Sequence, residues 1–183
     1  MRTKITPDGN IEHEGLNRVE AMPTLSDTAL LIARSYIGQK EIPAGSNAGE
    51  FVEGCLKLVG LGKGYPWCQA FMYRVYNEAA DKLGIENPMP KTAGVLKCLQ
   101  LTKKDKIVYK KNATVANIKA GSQFIMDYGK GLGHTGMVVS FNPDGTFTTI
   151  EGNTDSNGSR TGGMVCLRTR SVKESKMRAF IVW

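Results

Sequence analysis

The sequence has few of the residues that metal sites and membrane spans require. Its 183 residues include four cysteines and two histidines, and no two cysteines form a CxxC pair. A zinc site is therefore not expected. No apolar stretch is long enough to cross a bilayer, and the first 25 residues contain no apolar segment of the kind found in a secretory signal peptide. We therefore expect no metal site and no insertion into a membrane.

Composition and charge are those of a globular protein with a basic surface. The hydrophobic fraction is 41%, the charged fraction is 22% and the formal net charge is +7. The polar composition of residues 1–25 predicts an N-terminal arm, and the length of the chain predicts a single domain over residues 26–183. The positive charge favours polyanionic partners, which include nucleic acid and a bacterial envelope rich in phosphate and carboxylate.

The periodicity of apolar residues changes from helical to strand-like along the chain. A spacing of three and four residues predicts helices near 26–37, 51–59, 66–83 and 95–99, with Pro66 as the first residue of the third helix. After about residue 105, short β-type runs are separated by turn signals such as "NPDG" at 142–145. Helices followed by strands predict an α+β fold, with N-terminal helices packed on a C-terminal antiparallel sheet.

Cys68 lies at the predicted start of the third helix, in "YPWCQAF". The positive end of a helix dipole favours a thiolate, so a reactive cysteine gains from this place in a way that a core cysteine does not. Packing within the apolar stripe of the helix is the alternative reading. We expect the other three thiols, Cys55, Cys98 and Cys166, to be buried and free.

A base for that thiol is expected at His134, in "GLGHTGMVVSF", because His13 lies in the polar leader. If Phe141 pairs with Thr146 across the "NPDG" turn, His134 faces Asn153, and Glu151 lies on the same side of the sheet. Either Glu151 or Asn153 would then hold the second ring nitrogen of the histidine. Each residue alone is as well explained by a structural role, and a slip of one residue in register would separate them.

Taken together, these segments resemble the CHAP-domain proteins, which are cysteine peptidoglycan hydrolases within the papain-related NlpC/P60-like group. "YPWCQAFMYRVYNEA" resembles their nucleophile helix, and "GHTGMVVSF…TFTTIEGNT" resembles their histidine and Glu-Gly-Asn block. The resemblance implies a papain-like fold and cleavage of an amide bond in bacterial cell-wall peptide. It also implies Cys68 as nucleophile, His134 as general base, Glu151 as the group that orients it and Asn153 as a further polar group of the site. That chemistry needs no cofactor.

One departure from the papain pattern concerns the oxyanion. No glutamine stands shortly before Cys68, so the backbone N–H of Cys68 is the one donor expected. Tyr65 and Asn47 are candidates for the second donor. Trp67 is a candidate for stacking on a sugar, although packing beside the nucleophile explains it equally well.

Other functions remain compatible with these residues. The same groups would serve a cysteine peptidase or acyltransferase on another amide. The lysine-rich run "KKDKIVYKKN" at 103–112 would suit a basic nucleic-acid-binding or wall-binding module without catalysis, although no nucleic-acid motif accompanies it. If the protein is a wall hydrolase, we expect it to be a monomer that acts on the cell wall. It would reach the wall through cell lysis, through a secretion system, or by export with a leader that is then removed.

Overall fold

The computed structural model describes residues 3–5, 11–13, 22–155 and 162–183. The arm predicted for residues 1–25 lies largely outside the described residues. Within it, β1 (Thr3–Ile5) and β2 (Ile11–His13) form a two-stranded antiparallel sheet.

Four helices occupy the first half of the main body, as the apolar periodicity predicts. They are α1 (Leu25–Ser35), α2 (Glu50–Leu58), α3 (Cys68–Leu83) and α4 (Val95–Leu101). Two boundaries differ from the prediction. Helix α1 is capped by Thr24, whose hydroxyl accepts from the Asp27 backbone N–H at 3.1 Å. Helix α3 begins at Cys68 rather than at Pro66, with Trp67 at the N-cap.

The second half forms a six-stranded antiparallel sheet. Its strands are β3 (Ile107–Tyr109), β4 (Gln123–Gly129), β5 (Leu132–Phe141), β6 (Thr146–Thr154), β7 (Met164–Ser171) and β8 (Met177–Ile181). Their spatial order is β3-β8-β4-β5-β6-β7. The fold is thus α+β, as predicted. The glycine-rich segment around His134 predicts a strand that begins just after the histidine, but β5 already begins at Leu132, so His134 lies within the strand.

The β5–β6 register contains an irregularity that the sequence does not reveal. Phe141 pairs with Phe147 rather than with Thr146, so the predicted register is wrong at the turn. A register shift between Val138 and Ser140 then inserts one residue into β5. Beyond this bulge, Met137 pairs with Ile150, which is the predicted register. The bulge therefore restores the alignment that brings His134 towards Glu151.

Helix α3 packs directly on the sheet and anchors the core. Its buried side chains, with those of α1 and α2, meet Ile125, Met137 and Ile150 from the sheet. At Gly152, a Cβ atom would lie 2.8 Å from the Trp67 ring and 2.9 Å from Phe71. The absence of a side chain at Gly152 therefore allows the first turn of α3 to lie against β6. This contact fixes where Cys68 stands relative to the sheet.

Candidate active site

Cys68 is the first residue of α3 and lines a cleft of about 350 Å³. The first turn of this helix contains no acidic side chain, so its positive end is not offset by a carboxylate there. The walls of the cleft come from the loop before α3, the start of α4 and the β4–β5 hairpin. None of the described residues that line it is charged: Leu61, Tyr65, Pro66, Ala93, Gly94, Val95, Gly131, Leu132, Gly133 and Asn153.

His134 is fully buried and is held by a carboxylate. Its Nε2 atom lies 2.7 Å from Glu151 Oε2. Within the described part of the chain, Nδ1 has no hydrogen-bond partner, which leaves it available to the Cys68 thiol. Burial by itself would lower the pKa of His134, but the nearby side chains of Cys68 and Glu151 outweigh it and raise the pKa to about 9. These neighbours therefore favour the protonated imidazole.

Glu151 is itself fully buried and has four hydrogen-bond contacts. Besides His134, Thr149 Oγ1 donates to Oε1 at 2.6 Å. Arg170 donates from Nε to Oε1 at 2.8 Å and from Nη2 to Oε2 at 2.7 Å. Burial would raise the pKa of Glu151, but the hydrogen bonds from Arg170 and His134 lower it to about 2. The carboxylate is therefore ionised and fixed in orientation.

The "EGN" segment of β6 places three different functions in consecutive residues. Glu151 holds the histidine, Gly152 makes room for α3, and Asn153 lines the cleft beside Cys68. Asn153 has a left-handed backbone, with φ of 56°, and its buried Oδ1 has no partner among the described residues. Of the two acceptors considered for the histidine ring, Glu151 contacts it, and Asn153 Oδ1 does not.

The remaining predicted residues occupy different places. Tyr65 is half exposed and lines the cleft. Asn47 is not among the cleft residues, and its carbonyl accepts from the Gly64 N–H at 2.9 Å in the loop before α3. Trp67 is fully buried and donates from Nε1 to Glu41 at 2.9 Å. It therefore has no exposed ring face for a sugar, and packing explains its position.

The other three thiols differ from Cys68 in their surroundings. Cys55 and Cys98 are fully buried, Cys166 is partly buried, and all are free. Burial raises the pKa of Cys55 to about 11 and that of Cys98 to about 12. No histidine is among the groups that shift these two pKa values, and both thiols stay protonated at neutral pH.

Several polar residues of the site were not singled out from the sequence. Thr149 and Arg170 act on Glu151, and Gln69, the residue after Cys68, accepts from Gln123 Nε2 at 2.8 Å. Gln123 also donates to Thr135 Oγ1 at 2.9 Å, next to His134. This buried network ties the start of α3 to β4 and β5. Only the alternation of Thr149 and Glu151 along β6 gave a sequence signal, since the others depend on packing between distant elements.

Groups of three or more histidine, cysteine, aspartate or glutamate side chains with metal-binding geometry are not found among the described residues. In the same part of the chain, no helix has both the length and the apolar character needed to span a bilayer. The lysine-rich run lies at the exposed edge of the sheet, on and beside β3.

The fold is of the α+β class, with a buried histidine held by a carboxylate and a cysteine at the start of the helix that packs on the antiparallel sheet. The model of the CHAP domain matches residues 60–153, which include Cys68, His134, Glu151 and Asn153. The chain therefore belongs to the CHAP domain family.

A solved structure supports the same fold. The crystal structure of a wild-type endolysin, LysIME-EF1, superposes with a TM-score of 0.55 at 16% sequence identity. The alignment covers 87% of this chain and 64% of that one, so the present chain spans less than two thirds of the endolysin's length. No curated protein sequence matches the chain.

Proposed function

We propose that this protein is a peptidoglycan hydrolase that cleaves an amide bond of bacterial cell-wall peptide by thiol chemistry. The observation that carries the proposal is the contact of His134 with Glu151, which leaves the opposite ring nitrogen free beside Cys68 at the base of an open cleft. Family membership and the endolysin neighbour support the substrate class. We assign the activity to residues 26–183.

The first half of the reaction follows from the charges of the site. Because the pKa of His134 is raised to about 9, the imidazolium is present at neutral pH and can pair with a Cys68 thiolate. The thiolate attacks the amide carbonyl, and the electron pair of the C=O bond moves onto oxygen. The backbone N–H of Cys68, in the unpaired first turn of α3, donates to this oxyanion.

The second half releases the two products. His134 gives its proton to the leaving amine, the C–N bond breaks and a thioester remains on Cys68. Neutral His134 then takes a proton from water, whose oxygen attacks the thioester; the C–S bond breaks, which frees the carboxylic acid and regenerates the Cys68 thiolate beside the imidazolium. Glu151 stays ionised throughout and stabilises each imidazolium that forms.

Asn153 is the polar side chain of the cleft next to Cys68, and we assign its amide to the peptide group of the substrate. Its Oδ1 is buried without a partner among the described residues, and a substrate N–H would satisfy it. Tyr65, half exposed at the rim, is a second candidate contact. Asn153 thus replaces Asn47 as the side chain best placed to contact the scissile peptide.

The test is digestion of purified peptidoglycan sacculi, with the soluble products identified by mass. The native protein should release fragments and Cys68→Ala should release none. Cys55→Ala is the matched control, since it removes a buried thiol from α2, outside the cleft, and should retain activity. The new termini will show whether the cut lies at the sugar–peptide amide or between two amino acids. Release by Cys68→Ala equal to that of the native protein would refute the thiol mechanism.

A further inference from the structure

We propose that Arg170 is a positioning residue of this site: it locks the Glu151 carboxylate against His134 and sets the pH range in which the imidazole holds its proton. The inference rests on the proposed function for its consequence in catalysis, but its central claim concerns the state of His134 alone.

The geometry around Glu151 is the first argument. Arg170 approaches from β7 and binds both carboxylate oxygens, through Nε to Oε1 and Nη2 to Oε2. A bidentate pair of this kind fixes the plane of the carboxylate. The second hydrogen bond to Oε1 comes from the Thr149 hydroxyl, and the second contact of Oε2 is with His134 Nε2. Without Arg170, the carboxylate keeps the Thr149 hydroxyl and the His134 ring as partners, but its plane is no longer fixed relative to the ring.

Burial is the second argument, since Arg170 is 8% exposed and Glu151 is 0% exposed. Burying an arginine is costly unless it is fully paired. Its ring contact to Phe124, at 5.8 Å, joins it to the side chain that also packs on His134 at 6.0 Å. Arginine, phenylalanine and histidine are therefore parts of one packed unit, in which a displacement of Arg170 is transmitted to the imidazole.

Charge is the third argument. The groups that face His134 are Cys68 from α3, Glu151 from β6 and, behind Glu151, Arg170 from β7. Around Arg170 lie Glu174, at 3.6 Å, and Tyr128, while Cys166 on β7 lies opposite Glu151. Arg170 is the one cation among these besides the imidazolium itself. It offsets part of the negative charge of Glu151, so its removal makes His134 hold its proton to higher pH.

The experiment is an NMR titration of the histidine side chains, which needs no substrate. The chain has two histidines, so His13 is an internal reference and His134→Ala assigns the second signal. In Arg170→Met we expect the His134 midpoint to move up by about one pH unit, as a unit charge at this range produces. In Arg170→Lys, which keeps the charge but loses the bidentate contact, the midpoint should stay within a few tenths of the native value.

Activity on sacculi, with the concentration of folded protein measured by circular dichroism, provides the second readout. Arg170→Lys should lower kcat by about tenfold to a hundredfold, since misplacement of a reacting group by an ångström has that effect. Arg74→Met and Arg74→Lys are matched controls, because Arg74 also pairs with a glutamate but lies on α3 away from the cleft. Neither should move the His134 midpoint or kcat.

A native His134 midpoint in Arg170→Met overturns the proposal, because a merely structural arginine would leave it unchanged. If Arg170→Met does not fold, Arg170→Lys decides the matter: unchanged kcat in that variant overturns the positioning role. If the native protein releases nothing from sacculi, the proposed function fails while the titration still tests Arg170.

Discussion

Two clusters in this protein are each built around an arginine–glutamate pair. They differ in whether every polar group of the cluster has a hydrogen-bond partner. On α3, Arg74 donates from Nε to Glu78 at 2.8 Å, and its guanidinium contacts the rings of both Tyr36 and Phe51, at 4.8 and 4.7 Å. The Tyr36 hydroxyl lies 2.8 and 2.7 Å from the two Glu78 oxygens. Every strong donor of this cluster thus has its acceptor within the cluster, and its function is to join α1, α2 and α3.

In the cluster on the sheet, the arginine instead binds both carboxylate oxygens, and one polar group of the cluster has no partner among the described residues. Arg170 and Glu151 satisfy each other, and the fourth contact of the carboxylate is the imidazole of His134. The far nitrogen of that ring has no partner among the described residues and lies on the side of Cys68. A closed polar network stabilises the fold, whereas a buried network that ends in an unpaired nitrogen beside a thiol is prepared to move a proton.

The largest expected effect comes from removing the His134 imidazole, whose Nδ1 atom is the unpaired group of the cluster on the sheet. His134→Ala should lower kcat on sacculi by about a thousandfold or more, as loss of the base does in related triads. It should also reduce the rate of Cys68 alkylation by iodoacetamide at pH 6, since the imidazolium partner of the thiolate is gone. Peptide mass mapping separates Cys68 from the other thiols.

The internal controls for that measurement are Cys55 and Cys98. Burial raises their pKa to about 11 and about 12, so both should react slowly in the native protein and in the variant alike. If Cys68 in His134→Ala is alkylated at pH 6 as fast as in the native protein, the two residues are not paired.

The next largest effect is a difference in stability between the variants that neutralise the two glutamates. Glu151→Gln leaves Arg170 and His134 buried without their counter-charge and should lower the free energy of unfolding at pH 7 by about 3–5 kcal/mol. Glu78→Gln alters a pair whose side chains are 22% and 32% exposed, and should cost about 0–1 kcal/mol. Urea unfolding measures both.

The contribution of Glu151 to the free energy of unfolding should depend on pH. Arg170 and His134 outweigh burial and lower the pKa of Glu151 from 4.5 to about 2. Its stabilisation is therefore complete above pH 4.5 and is lost as the pH falls towards 2. Native protein and Glu151→Gln should converge in stability over that range. A difference that stays constant from pH 7 to pH 3 would contradict the ionised, paired carboxylate.

Sequence reasoning predicted the histidine-side cluster in part, for a physical reason. His134 and Glu151 lie on strands joined by a short turn, where alternation limits which side chains meet. The predicted turn pairing was off by one, and the β5 bulge compensated for it. The role of Arg170 could not be predicted, because the segment between β6 and β7 is too long for a turn type to fix the register of the two strands. Asn153 was placed on the correct strand, but its left-handed φ of 56° was not predicted, and Glu151 rather than Asn153 contacts the histidine ring.

The smallest expected effect concerns charge far from either cluster. The run at 103–112 contains five lysines and one acidic residue, and it lies at the exposed edge of the sheet. Changing Lys103, Lys104 and Lys111 to glutamine should weaken binding to sacculi at low salt by roughly threefold, the scale of exposed charge contacts. The difference should vanish at high salt because exposed charges are screened. A control that removes the same charge elsewhere uses Lys57, Lys82 and Lys119, which are also exposed. Equal weakening by both sets would mean that net charge, rather than the sheet edge, attracts the wall.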